Sequence, residues 1–408
     1  MSPNRTDSVE DPPRRRRRRQ VTNAEIIDLL EYLAPPAQAS PATPYGLQVG
    51  AAQSAVKSIV ITPLLSAQAI SCATAFHAEL IISAAPLLST PLETLRWDNP
   101  IGARAALLAQ KQISLYVLAN SYAAVPGGFD DSLAEQLGLA PTGVLAPTVA
   151  EKQLKFVVFV PPRDLEKVQN AAAEAGAGLI GNYSNCAFRT PGTGTFLGRP
   201  GSNPTVGRPG RLEHADEVRL EMLVPERDLK GVVAAVLQAH SYEEVAYDVY
   251  PLRNPGPSYG RGRIGELPLQ VSLDTVLAQV NDALGLNEDK RARCVHRPGL
   301  PIASLAVASG MGAGENLLWH AHRREAGAIV LGGLSPVDLM LVDNASTAVI
   351  DIGFAASVAP GLQRLLAQIR DTFEGDGIQV AYASSPAPAG ASPPASPMRE
   401  DRSAYEAL

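Results

Sequence analysis

Cysteine is scarce in this chain, three residues in 408. Cys72, Cys186 and Cys294 are far apart, odd in number and without a CxxC pair, which speaks against a disulfide framework or a zinc ribbon and fits a reducing, cytoplasmic compartment. Long apolar runs are also missing. No stretch approaches about 18 uninterrupted apolar residues, and no apolar core follows the basic N-terminus, so neither a membrane span nor a signal peptide is expected. Positive charge is not in excess: 35 Lys and Arg against 41 Asp and Glu give a net charge of −6, which argues against a nucleic-acid-binding body. Histidine is limited to six. His320 and His322 stand at i and i+2 of an expected helix and face different ways, which disfavours a two-histidine metal face. His77 precedes a strand, and His214 and His296 lie in loop-like sequence. All five read as surface or satisfied structural histidines.

What is present is apolar and patterned. With 46% hydrophobic residues the chain can bury large cores, and its length suggests two or three domains. Residues 1–20, with "RRRRRR" at 14–19, read as a disordered basic tail, and 379–408 as a disordered Pro/Ala/Ser-rich tail. "VTNAEIIDLLEYL" opens the folded part as a helix, with Thr22 and Glu25 in capping-box spacing. Strand-like "SIVIT" (58–62), "AELIIS" (78–83) and "ISLYVL" (113–118) then alternate with helix-like 64–78 and 101–111, the pattern of a parallel sheet covered on both faces. "ASLAVASG" (303–310), "AIVLGG" (328–333), "TAVIDIG" (347–353) and the helix "APGLQRLLAQIRDTF" (359–373) repeat it. The fold class is therefore α/β, with one lobe over 21–150 and a second over 256–378. Between them, at 151–255, lies an internal repeat. "VPPRDL" and "VPERDL" each end a strand and start a helix, with Val160 and Val224 64 residues apart. Two β-α units with extra strands predict a βαββαβ, ferredoxin-like domain.

In open α/β sheets the ligand crevice lies outside the carboxyl ends of the strands. Here those ends carry Ala84 and Ala85; Ala119, Asn120 and Ser121; and Phe354, Ala355 and Ala356. A metal-assisted hydrolase needs several N or O ligands converging at such points, and alanine offers none. The middle unit is richer. "GAGLIGNYSNCAFRTPGTGTF" (176–196) packs glycines around Asn182, Tyr183, Cys186 and Phe188, and "HSYEE" (240–244) sets His240, Tyr242, Glu243 and Glu244 before its last strand. Asn182, Tyr183, Cys186, His240, Tyr242 and Glu243 form a candidate site for a small-molecule ligand; turns and an interface are the plainer reading. No Lys-Ser/Thr follows the glycines, so a nucleotide loop is not indicated.

"YGLQVG", "PGGFDDSLAEQLGL", "GAGLIGNY", "GTGTF", "VRLEMLVP", "AYDVYPL" and "GRIGEL" resemble, in order, the sequence blocks of the Nif-three-like family, the GTP cyclohydrolase 1 type 2 homologues, in the long bacterial form with a PII- or CutA-like insert. The likeness runs over about residues 21–375. It implies two lobes forming one composite domain, an inserted domain, a ring-shaped homohexamer and a centre of two divalent metal ions. At the six positions where the resemblance implies metal ligands this chain has Ala84, Ala85, Ala119, Ala123, Phe354 and Val358. Neighbouring Gly127, Gly128 and Gly353 keep the register. No bound metal, catalytic residue or other cofactor is therefore expected, and the chain reads as a ring-forming scaffold or a regulatory, binding protein. The alternative is a divergent metal-dependent hydrolase of nucleotides or phosphoesters that relies on Asn120, Ser121, Asp130, Asp131 or Asp351; Asp131 reads more simply as the cap of a helix beginning near Ser132. The arginine tail would be the only hold on a polyanion.

Overall fold

The computed structural model describes residues 19–35, 44–181, 183–199, 201, 205, 207–254, 256, 258–288, 291–296, 299, 301–310, 316–334, 338, 340 and 346–384. Both expected tails fall largely outside them. Arg19, the last of the arginine run, is described and pairs with Glu25 at 2.6 Å. The chain divides into two compact units, one built from residues up to 146 and from 260 onward, the other from 147–259.

The larger unit is mixed α/β and, among the described residues, contains two large sheets and a two-stranded pair, Val21–Thr22 with Ala55–Val56. Five strands run in the order Gln379–Tyr382, Ser58–Thr62, Leu80–Ser83, Ser114–Val117 and Gly46–Val49. The first four are parallel and the edge strand Gly46–Val49 is antiparallel. Every residue of Ser58–Thr62, Leu80–Ser83 and Ser114–Val117 is buried, which is why these strands are continuous Val/Ile/Leu runs rather than alternating ones. Helices Ala67–Ala75 and Pro100–Gln110 supply Ala69, Ile70, Ala73, Ala105 and Leu108 to one core, against Val60, Ile81, Leu115 and Val117. The second sheet runs Arg293–His296, Ala348–Asp351, Ala328–Leu331, Ile302–Ala308, Ser258–Val271, Gly143–Ala150, with a parallel centre of Ile302–Ala308, Ala328–Leu331 and Ala348–Asp351.

Three sequence expectations change here. Gln379–Tyr382, read as the start of the tail, is a strand paired with Ser58–Thr62; its four residues precede the Pro-rich composition that fixed the tail boundary. The long helix spans Phe354–Thr372, five residues earlier than expected, with Pro360 inside it. Gly353, at a left-handed φ of 76°, turns the chain directly from strand to helix, and a proline forfeits a single main-chain bond there. His214 and His296 lie in strands Leu212–Pro225 and Arg293–His296, not loops.

The smaller unit has the element order strand Gln153–Val160, helix Leu165–Glu174, strands Ala187–Leu197 and Leu212–Pro225, helix Leu229–Ala239 and strand Tyr247–Pro251. Its antiparallel sheet runs last strand, first, third, second. The repeated Val-Pro-x-Arg-Asp-Leu ends each long strand in a short 3-10 turn, Pro162–Asp164 or Glu226–Asp228, which leads into the helix. Phe156, Val158, Val160, Leu220, Met222 and Val224 pack with Val168, Ala172, Val232 and Val236 of the two helices. By strand alternation Val157, Phe159, Glu217 and Arg219 then belong to the opposite face of this sheet.

Burial of phenols gives the fold a pH signature. Burial raises the pKa of Tyr116 and Tyr122 far above the ordinary value, and burial with a hydrogen bond to Glu151 does the same for Tyr259. A folded pKa above the unfolded one gives stability that is complete below about pH 10 and lost as pH rises further. Urea midpoints are expected to hold up to about pH 9.5 and fall above pH 10, with phenolate absorbance of these residues appearing only as the chain unfolds. Ionisation of all eleven tyrosines before unfolding would contradict this.

Candidate functional site

In the larger unit the strand pairing continues past the strand ends. Leu118 N–H donates to Ser83 O at 2.9 Å and Ala119 N–H to Ala84 O at 3.1 Å, while Ala84 and Ala85 N–H reach Thr62 O and Pro63 O at 3.1 and 2.9 Å. Ala84 and Ala119 therefore lie side by side on neighbouring chain segments. Both are buried, as are Ala123 and Val358. Ala119 adopts a left-handed backbone, φ 49°, a conformation in which Asn, Asp and His are enriched and which costs an alanine about 1–2 kcal/mol. Ala123 lies in the short helix Ser121–Ala124 that follows. Phe354 and Val358 occupy the first two turns of helix Phe354–Thr372. Between them Ser357 is fully buried: its Oγ accepts from Gly310 N–H at 2.9 Å and donates to Phe354 O at 2.7 Å. Among the described residues no group of three or more His, Cys, Asp or Glu is placed to hold a metal ion.

The polar side chains that could have moved the chemistry elsewhere are committed. Asp130 is fully buried, and its Oδ1 accepts from Ser309 N–H at 2.7 Å and Ser309 Oγ at 2.5 Å. Its Oδ2 accepts from Gly262 N–H at 2.6 Å and Arg261 Nε at 3.1 Å. Four bonds fill the acceptor capacity of one carboxylate. Asp131 is not the helix cap expected from sequence: the helix is Phe129–Gln136 and its N-cap is Gly128. Its Oδ2 accepts from Gly127 N–H at 2.6 Å and Arg263 Nη2 at 3.2 Å, and its Oδ1 from Arg263 Nε. Arg263, also buried, donates from Nη1 to Gly260 O and Gly262 O at 3.0 and 2.9 Å. Asp351 Oδ1 accepts from Gly353 N–H at 2.8 Å, and Ser121 Oγ donates to Leu118 O at 2.5 Å. Asn120 is likewise engaged. Sequence reasoning missed Arg261, Arg263 and Ser309; the "GRGR" run ahead of an apolar strand was the available signal.

The smaller unit holds a cavity of about 440 Å³ lined by Phe159, Phe196, Glu217, Tyr242, Glu243 and Glu244 among others. Of the six residues proposed there from sequence, Tyr242 and Glu243 line it. His240 supports them from behind: its ring stands edge-on to Tyr242 with centroids 4.9 Å apart. His240 Nδ1 accepts from Tyr242 N–H at 3.0 Å and Nε2 lies 3.0 Å from Phe159 O. With Nδ1 accepting, Nε2 carries the proton and donates, so both ring nitrogens of a neutral imidazole are satisfied. Tyr183 and Cys186 are not part of the cavity, and Asn182 lies outside the described residues. Tyr183 is exposed on a tight turn closed by Ile180 N–H to Tyr183 O at 2.9 Å. Phe159, Phe196 and Glu217 went unnoticed because they come from three separate strands.

A family model, Duf34/NIF3 (NGG1p interacting factor 3), matches residues 21–388. The chain belongs to this family. It is 36% identical over 307 residues, 75% of this chain and 81% of the relative, to a GTP cyclohydrolase 1 type 2 homolog of Halalkalibacterium halodurans. It is 32% identical over 357 residues, 86% of this chain and 92% of the relative, to a protein so named in Mycobacterium tuberculosis. Among solved structures, a Bacillus cereus protein related to NIF3 superposes with a TM-score of 0.79 at 33% identity, covering 90% of this chain and 97% of that one. Membership of Duf34/NIF3 thus extends across both units. No helix among the described residues is long and apolar enough to cross a membrane.

Proposed function

We propose that this Duf34/NIF3 chain has lost the two-metal centre of its family resemblance and acts as a ring-forming scaffold or binding protein. The observation that carries the reading is the occupancy of the six expected ligand positions by Ala84, Ala85, Ala119, Ala123, Phe354 and Val358. None has a nitrogen, oxygen or sulfur side-chain donor, so these residues do not fit a metal pair. The left-handed Ala119 supports the same reading, because strained backbone clusters at functional sites, and here it persists under a side chain without function. Imidazoles and carboxylates crowded together without metal are costly to bury, so apolar replacement stabilises the lobe. Of the carboxylates the hydrolase alternative would need, Asp130 and Asp131 are already occupied by Arg261, Ser309 and Arg263, and Asp351 accepts from Gly353 N–H.

In this reading the smaller unit is a ferredoxin-like, PII- or CutA-like insert; its element order and its sheet order of fourth, first, third, second strand support that. The ring is a homohexamer, assembled without metal. Light scattering after exhaustive EDTA treatment is expected to give six times the chain mass of 42.9 kDa. A monomer before and after treatment would refute the ring, and a ring that dissociates on chelation would refute its independence from metal.

A further inference from the structure

The two copies of Val-Pro-x-Arg-Asp-Leu are not equivalent. In the first, the turn Pro162–Asp164 sets Arg163 Nε 3.7 Å from Asp164 Oδ2. That oxygen also accepts from Ser241 Oγ, in the segment after helix Leu229–Ala239, at 2.5 Å. In the second, the turn Glu226–Asp228 repeats the ion pair, with Arg227 Nε 3.8 Å from Asp228 Oδ2. Here the segment after helix Leu165–Glu174 brings Gly176 instead of a serine: a Cβ there would already stand 3.0 Å from Asp228 Oδ2, and glycine has no hydroxyl to donate. The Asp228 side chain is 9% exposed, and among the described residues its carboxylate accepts no hydrogen bond.

The second turn also closes the base of the smaller unit, which the chain enters at Pro147 and leaves at Tyr259. The Tyr259 hydroxyl donates to Glu151, near the entry, and accepts from Arg227 Nη1 at 2.9 Å. Arg227 Nε lies 3.9 Å from Glu151 Oε2, so one guanidinium serves two carboxylates. Tyr259 is 2% exposed and the Glu151 side chain 10%. The main chain ties the same place together: Glu226 N–H donates to Lys152 O and Leu252 N–H to Gln153 O, each at 2.9 Å. The other charged groups at the base face solvent. Lys152 pairs with Glu226 at 3.4 Å, and Glu174, ending its helix, is exposed. Burial raises the pKa of Asp228 above the ordinary value, Arg227 pulls it back, and the charge of Glu151 pushes it up again.

We propose that the second Arg-Asp turn is a proton-responsive clasp: Asp228 takes up a proton in mild acid, and the entry and exit segments of the smaller unit are then held more firmly. Two carboxylates that share one guanidinium with little access to water repel each other. Neutralising Asp228 relieves that repulsion and leaves Arg227 to Glu151 and Tyr259. The proton goes to Asp228, whose charge has no hydrogen-bond donor, while the charge of Glu151 keeps the Tyr259 hydroxyl. A folded pKa above the unfolded value near 3.9 gives stability that is complete below about pH 4 and is lost as pH rises through the folded pKa. None of the clasp residues is among the six positions discussed for metal, so the clasp stands or falls apart from the loss of the metal centre.

The test is amide hydrogen exchange of the full chain at about pH 5 and about pH 7.5, corrected for intrinsic rates, in peptides that contain Glu151 and Tyr259. Protection there is expected to be at least about fivefold greater at the lower pH. Asp228→Asn should show the parent's low-pH protection at both pH values, whereas Asp164→Asn, in the twin turn, should keep the parent's difference. If Asp228→Asn fails to fold, Arg227→Gln decides: without the cation that favours the ionised Asp228, protection should be lost at a higher pH than in the parent. Equal protection of the parent at the two pH values, or a difference that survives in Asp228→Asn, overturns the proposal. So does protection lowered at both pH values in that variant, the mark of a purely structural carboxylate, or an unshifted loss in Arg227→Gln.

Discussion

Asp130→Ala is expected to destabilise the larger unit by about 3–5 kcal/mol, the cost of removing one partner of a buried ion pair. Asp130 and Arg261 are 0% and 2% exposed, and no water can replace the lost carboxylate at Arg261 Nε, Gly262 N–H or Ser309. The carboxylate joins helix Phe129–Gln136 to strands Ser258–Val271 and Ile302–Ala308, three segments remote in sequence, so the loss should lower the midpoint of the whole unit. Trp97 and Trp319 both lie in this unit, and urea unfolding followed by their fluorescence reads the change. Asp130→Asn, which keeps the shape and part of the bonding, should cost less. A normally stable Asp130→Ala protein would mean that the carboxylate is dispensable to the fold, and would reopen a chemical role for it.

Val358→Glu should be as severe, about 3–5 kcal/mol at pH 8, for the opposite reason: it adds a charge where none is compensated. Val358 is 1% exposed and lies one turn into helix Phe354–Thr372. The resemblance implies a metal ligand there, so the substitution restores one ligand among five positions that still lack theirs. Burial raises the folded pKa of such a glutamate above its unfolded value near 4.3. Its penalty is therefore smallest below about pH 4 and grows as pH rises through the folded pKa. Denaturation at pH 5 and pH 8 should show the mutant recovering toward the parent at the lower pH. Zinc or manganese should not rescue it at pH 8. Rescue by metal would mean that other donors already surround residue 358.

The architecture was readable because buried parallel strands leave an unmistakable mark. "SIVIT", "LIIS" and "SLYV" are apolar throughout and are buried throughout. The repeated Val-Pro-x-Arg-Asp-Leu was equally plain, since each copy uses proline to stop a strand and leads into a helix within a few residues. Boundaries set by tertiary context were not readable. Pro360 suggested a helix start, whereas Gly353 provides it, and Gln379–Tyr382 becomes a strand because Ser58–Thr62 offers it a parallel neighbour.

The sites divide in the same way. Alanines at strand ends can be read from sequence, because an absence of donors needs no partner to be recognised. Pairings cannot: Asp130 and Arg261 are 131 residues apart, and nothing local in "GGFDDS" tells which of two adjacent aspartates turns inward to Ser309 and which meets Arg263. In the smaller unit, Tyr242 and Glu243 of "HSYEE" line the cavity. The glycine-rich stretch brings Gly194 and Phe196 to the cavity, while Tyr183 and Cys186 do not line it.

Element analysis of the full chain, purified without chelator and without added metal, tests the central claim most directly. Loss of the metal centre predicts zinc, iron and manganese each well below about 0.1 per chain, with no saturable uptake on dialysis against micromolar zinc or manganese. Near-stoichiometric metal that survives chelation, one or two ions per chain, would contradict it.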